Sequence, residues 1–134
     1  MSPKTPIKDM ISQLTHHRTV ELAMNGFRIV SQLAPLGNTL SLRTVVYEGF
    51  NYVPPSVRQC LSGGFLGPAS PLKALLNLNE ETFEITLAFS EPVPNLTEES
   101  LIGLLEEFTW LGEEWRRILD DHDKRDLVHV HAPK

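Results

Sequence analysis

The sequence predicts an α+β fold: an antiparallel sheet of about five strands with helices packed on it, in the order α-β-β-β-α-β-β-α. Three observations carry that expectation. The apolar period switches between helical and alternating along the chain. Two turn-like stretches, Asn25-Gly26 and Asn79-Glu80-Glu81-Thr82, each lie between alternating runs and so read as hairpins, which join antiparallel neighbours. The last third holds a long amphipathic stripe able to cover a sheet.

Thr5-Pro6 followed by Ile7, Met10, Ile11 and Leu14 sets a hydroxyl at a cap position, proline in the first turn and an i, i+3, i+4, i+7 stripe behind it. That predicts a helix over about residues 6–17. From Thr19 the period becomes two, with Val20, Leu22 and Met24 alternating with Glu21 and Ala23. Asn25-Gly26 tolerates the positive φ of a tight turn, and Phe27, Ile29 and Leu33 follow it. After Pro35-Leu36-Gly37-Asn38, a third alternating, β-branched run extends from Leu40 to Tyr47 and ends at Gly49.

Pro54-Pro55-Ser56 starts only a short helix, through Val57, Cys60 and Leu61, before Gly63-Gly64 stops it. Residues 62–71 hold three glycines and two prolines and read as an irregular connection. Lys73 to Asn79 and Phe83 to Phe89 form the second hairpin. Pro92-Val93-Pro94 ends the sheet, and Thr97 with Glu98 and Glu99 suits a helix N-terminus. The closing helix carries Leu101, Leu104, Leu105, Phe108, Leu111, Trp115, Ile118 and Leu119 within about 140° of arc. Trp110 falls about 150° from the centre of that stripe. It is expected to be exposed, either capping a loop edge or contacting a partner, in keeping with the enrichment of tryptophan at binding hot spots.

Length and composition bound the function. A chain of 134 residues with 41% hydrophobic and 22% charged residues reads as one globular domain spanning residues 1–134, with residues 120–134 extending it as a tail. The net charge of −5 lacks the basic footprint of a nucleic-acid surface. No run of 18 apolar residues and no signal-like leader are seen, so neither membrane insertion nor export by a cleaved signal is expected. The single cysteine, Cys60, excludes an internal disulfide and fits a reducing, cytoplasmic compartment.

No catalytic or metal set stands at recognisable spacing, so neither enzyme activity nor a cofactor is expected. A lone Cys60 between Val57 and Leu61 reads as a buried hydrophobe rather than a nucleophile. His129 and His131 would share one strand face, and His122 lies among Asp120, Asp121, Asp123 and Asp126. A solvated tail accounts for these better than a zinc site, and the acidic run lacks the glycine and glutamate of a calcium loop. Gly63-Gly64-Phe65-Leu66-Gly67 lacks a phosphate-loop lysine and reads as a connector.

The element order and several strings resemble the class I type III secretion chaperones. The strings are Leu76-x-Leu78-Asn79-Glu80-Glu81, Leu96-Thr97-x-x-x-Leu101, Leu104-Leu105-x-x-Phe108 and Glu114-Trp115-Arg116, with the Asn25-Gly26 hairpin and Gly63-Gly64 followed by Leu66-Gly67. The resemblance spans about residues 7–119 and implies a bacterial, non-catalytic homodimer that holds an extended segment of an effector or other secreted protein. By that resemblance a client patch would use Ile7, Met10, Ile11 and Leu14 with Val20, Leu22, Ile29 and Val45; these residues serve equally as core, and for at least half of them core is the better reading. Val57, Leu61, Phe65, Leu75, Leu76 and Leu78 are few in charge and form the expected dimer interface. The middle helix is shorter than the resemblance implies, and the tail runs past its usual end. A sensory-regulator-like interaction domain of the same fold, without a secretion role, is the alternative reading.

Overall fold

The computed structural model describes residues 7–16, 19–34 and 38–131, with side chains described from Asp9 to Lys124. The elements are α1 (Ile7–Thr15), β1 (Val20–Met24), β2 (Phe27–Leu33), β3 (Thr39–Glu48), α2 (Pro55–Gln59), β4 (Ala74–Asn79), β5 (Glu84–Pro92) and α3 (Glu98–His131). The strands form one antiparallel sheet in the order β1-β2-β3-β5-β4, as the sequence predicts.

Local chemistry sets the turns. Asn25 and Gly26 both take positive φ, 51° and 84°, the pair of left-handed residues that a two-residue hairpin needs to match strand twist. In the second hairpin the Asn79 side-chain carbonyl accepts from the backbone N–H groups of Glu81 and Thr82, at 2.8 and 3.2 Å. That is an Asx turn.

Alternation then separates two faces. Val20, Leu22, Phe27, Ile29, Leu33, Leu40, Leu42, Ile85, Leu87 and Phe89 point to one face and are buried. Leu101, Leu105, Phe108, Leu111 and Leu119 of α3, with Met10 and Leu14 of α1, cover that face and complete the core. Burying each such side chain stabilises the fold by about 1.5–3 kcal/mol.

The start of α3 is fixed by a reciprocal cap. Thr97 Oγ1 accepts from the Ser100 N–H at 3.1 Å, and Ser100 Oγ accepts from the Thr97 N–H at 2.9 Å, so two otherwise unpaired donors are satisfied. Its end differs from the expected solvated tail. The helix continues without a break to His131, and its first extra turn is tied down. Tyr47 Oη donates to Asp123 Oδ1 at 3.2 Å, and the His122 ring meets Phe65 edge-on at 5.7 Å between centroids. His129 and His131 therefore lie on a helix and not on a strand face; their side chains, and that of Asp126, fall outside the described residues.

Candidate functional site

The structure divides the expected client patch. Met10, Leu14, Val20, Leu22 and Ile29 are all buried within the chain's own core. A side chain with no free surface offers none to a ligand, so as client contacts these five are corrected to core. The periodicity that selected them marks a covered face, and α1 and α3 are what cover it. Ile11 is half-buried at the edge of that core, and Val45 is half-buried on the opposite sheet face. Ile7 belongs to α1, with its side chain outside the described residues.

The expected dimer set divides as well. Val57 is fully buried and packs in the core, so it is corrected to a structural role. Leu61, Phe65, Leu76 and Leu78 are half-buried against the core, and Phe65 sits 5.9 Å from the Trp115 ring. Leu75 points the other way and is 72% exposed. Cys60 is buried as expected, with its thiol donating to the Ser56 carbonyl at 3.5 Å. Trp110 is 41% exposed on the outer face of α3, which agrees with its position outside the apolar stripe.

The uncovered sheet face holds an arrangement that the sequence did not single out. Register places Glu21, Val30, Arg43, Ala88 and Leu75 in one row across all five strands, with Val45, Thr86 and Asn77 in the next. Partners in register share a face. Arg43 thus stands between Val30 and Ala88, and among the described residues it makes no ion pair.

Next to this row the sheet opens. The β2–β3 ladder ends at Val30 and Arg43, while β3 continues to Glu48 paired with β5, passing a bulge between Val45 and Tyr47. Two side chains take the carbonyls left facing the gap. Thr44 Oγ1 donates to the Arg28 carbonyl at 2.9 Å, and Arg116 Nη2 donates to the Val45 carbonyl at 3.3 Å. Arg116 is itself braced by the Phe27 ring, 4.0 Å below its guanidinium, in cation–π contact.

The result is an open groove of about 880 Å³, walled by Arg28, Val30, Arg43, Val45 and Arg116 and rimmed by Phe50. Phe50 is 82% exposed and has φ of +64°, a left-handed conformation that a bulky side chain rarely adopts. Its turn is enforced from behind. The Gly49 N–H donates to the Phe83 carbonyl at 2.8 Å, the Asn51 and Tyr52 N–H groups both donate to the Gly49 carbonyl, and a Cβ on Gly49 would strike the Tyr52 carbonyl. Glu48, at the end of β3 away from Arg43, and Asp120, near Arg116, also line it. Burial pushes the Asp120 carboxyl above its ordinary range, against the pull of Arg116.

Arg28, Arg43, Phe50 and Arg116 were missed because each signal is three-dimensional. An arginine in a strand reads as a solvated outward residue, and Arg116 reads as part of a polar helix face. Only the bulge and the end of the β2–β3 ladder bring them together.

Among the described residues no group of three or more His, Cys, Asp or Glu side chains could hold a metal ion, and no helix is long and apolar enough to cross a membrane. No protein-family model matches the chain, and no curated protein matches it either. A chain in the structure of the HopA1–SchA chaperone–effector complex superposes with a TM-score of 0.57 at 20% sequence identity, over 87% of this chain and 83% of that one. At that identity the likeness speaks for the fold. The order α-β-β-β-α-β-β-α, the five-stranded antiparallel sheet and its covering helices are the α+β fold that the sequence predicts, and that fold is shared with that chain of the chaperone–effector complex.

Proposed function

We propose that the protein is a non-catalytic chaperone that binds an extended segment of a secreted effector or other type III secretion substrate and keeps it competent for export. The observation that carries this reading is the fold shared over most of both chains with a chain of a chaperone–effector complex. The burial of Cys60 beside the Ser56 carbonyl supports a packing role for the one thiol, since reactive cysteines sit in exposed, electropositive surroundings.

On this reading the protein works in the bacterial cytoplasm as a homodimer. Leu75 on the edge strand β4, at 72% exposure, and Leu66 in the α2–β4 connection, at 92%, are large apolar residues of the kind that association removes from water. Light scattering at micromolar concentration is expected to give the mass of two 15.1 kDa chains, and a stable single-chain mass rejects the dimer. The decisive test of function is affinity purification from the native bacterium with mass spectrometry, followed by mapping on the partner. The expected result is a secreted protein bound through an unfolded segment. Recovery only of folded, non-secreted partners rejects the reading.

A further inference from the structure

We propose that the groove beside the β2–β3 gap is a subsite that reads the side chains of a short extended peptide, placing a carboxylate on Arg43 with Arg28 beside it and an apolar side chain against Val30, Val45 and Phe50. The inference rests on the chaperone reading for the peptide's source, but the geometry of the groove stands apart from it.

Charge supplies the first reason. The chain as a whole carries −5, and of the three arginines lining this groove Arg28 is ion-paired with Glu21 at 3.4 Å and Arg116 is held by the Val45 carbonyl and the Phe27 ring, which leaves Arg43 as the one with no carboxylate partner among the described residues. Its cross-strand neighbours Val30 and Ala88 are apolar. Arg43 is exposed between them, so a carboxylate there gains a charge-assisted hydrogen bond of modest strength that salt weakens. Glu48, at the end of β3 away from Arg43, and Asp120 repel a second acid beside them. The occupant therefore carries its carboxylate at the Arg43 end.

The second reason is that the gap is held open. With the Arg28 and Val45 carbonyls already taken by Thr44 and Arg116, a peptide finds these two backbone acceptors occupied. Recognition falls to side chains. Phe50 fits the same account: a costly backbone conformation that exposes a large aromatic ring persists where the surroundings over-determine it, and such positions cluster at ligand clamps. The groove volume lies within the range of sites that enclose a ligand of several residues or a drug-sized molecule.

The test selects random peptides of about twelve residues, displayed on phage, against the intact protein. The expected winners share Asp or Glu close to Leu, Ile, Val or Phe. A synthetic winner is then measured by fluorescence anisotropy. Arg43→Glu should weaken it tenfold or more, Arg28→Glu should weaken it less, and added salt should weaken wild-type binding. Replacing the peptide's acid by Lys should restore affinity for Arg43→Glu, a charge swap that a merely misfolded variant cannot show. No selected peptides, winners without an acidic residue, or equal affinity for Arg43→Glu overturns the subsite. A change in solution mass on Arg43→Glu with peptide affinity unchanged also overturns it, and assigns the face to a second copy. Recovery of the same secreted client by wild type and by Arg43→Glu rejects the subsite and leaves the chaperone reading standing. Arg43-dependent peptide binding with no secreted client rejects the chaperone reading and leaves the subsite.

Discussion

The two faces of the sheet are built from the same strands and serve different ends. On the covered face, Leu42 of β3 and Leu87 and Phe89 of β5 belong to the core that α1 and α3 complete and are almost fully buried. On the other face, one residue along each strand, Arg43, Ala88 and Leu75 stand in register with no helix above them. Because side chains alternate, every strand contributes to both faces, and a sequence pattern of period two marks two faces without saying which one a partner can touch. Burial inside the chain decides that, and it moved five of eight expected client residues into the core.

The contrast is open to direct test. Phe108→Ala removes a fully buried ring from beneath the covered face and is expected to cost about 3–5 kcal/mol in urea unfolding. Leu75→Ala on the other face should cost less than about 0.5 kcal/mol in the single chain, measured at a concentration low enough to dissociate any dimer. Comparable losses from the two under those conditions would break the comparison, because Leu75 would then be buried within one chain. Ser31 sharpens the same point from the covered side. Its hydroxyl is buried with no hydrogen-bond partner among the described residues, a state that costs free energy. Ser31→Ala should therefore raise stability by about 1 kcal/mol, read as a higher urea midpoint with an unchanged slope; a lower midpoint contradicts that account.

The smallest expected effect lies at the boundary between the faces, where Asp120 lines the groove. Its carboxyl keeps its proton to higher pH in the folded chain than an ordinary aspartate does, because burial disfavours the charge. The folded state therefore binds more protons than the unfolded state in the window just above the ordinary aspartate pKa, and stability falls as pH rises through it. Asp120→Asn should remove that slope, seen as a difference in melting temperature between wild type and variant that shrinks or grows steadily across the window. A slope that persists in the variant assigns it to another group.

How far the sequence revealed all this depends on what each element rests on. Local chemistry was legible: Asn25-Gly26 made the hairpin, Thr97 capped α3, and the stripe from Leu101 to Leu119 found the core. The extension of α3 was not, because Asp120-Asp121-His122-Asp123 carries no apolar period. Its helix is held by particular partners: Arg117 on Asp121 at 3.8 Å, Tyr47 on Asp123 and Phe65 against His122. The groove was illegible for a related reason. A bulge in β3 and an early end to the β2–β3 ladder leave no mark in composition, and the residues that meet there come from positions 28, 43, 50 and 116.

The placement of Arg116 also orders events during synthesis. Every strand is complete by Pro92, and a chain emerging from the ribosome can pair strands before its later residues exist. Until α3 emerges, the covered face has no helix from that end of the chain, and the Val45 carbonyl lacks the guanidinium that satisfies it in the finished fold. An unsatisfied strand edge is a template for pairing with other chains. Docking of α3 therefore closes an adhesive stage as well as completing a core, and the arginine that props the groove open is among the last parts of the sheet's surroundings to be made.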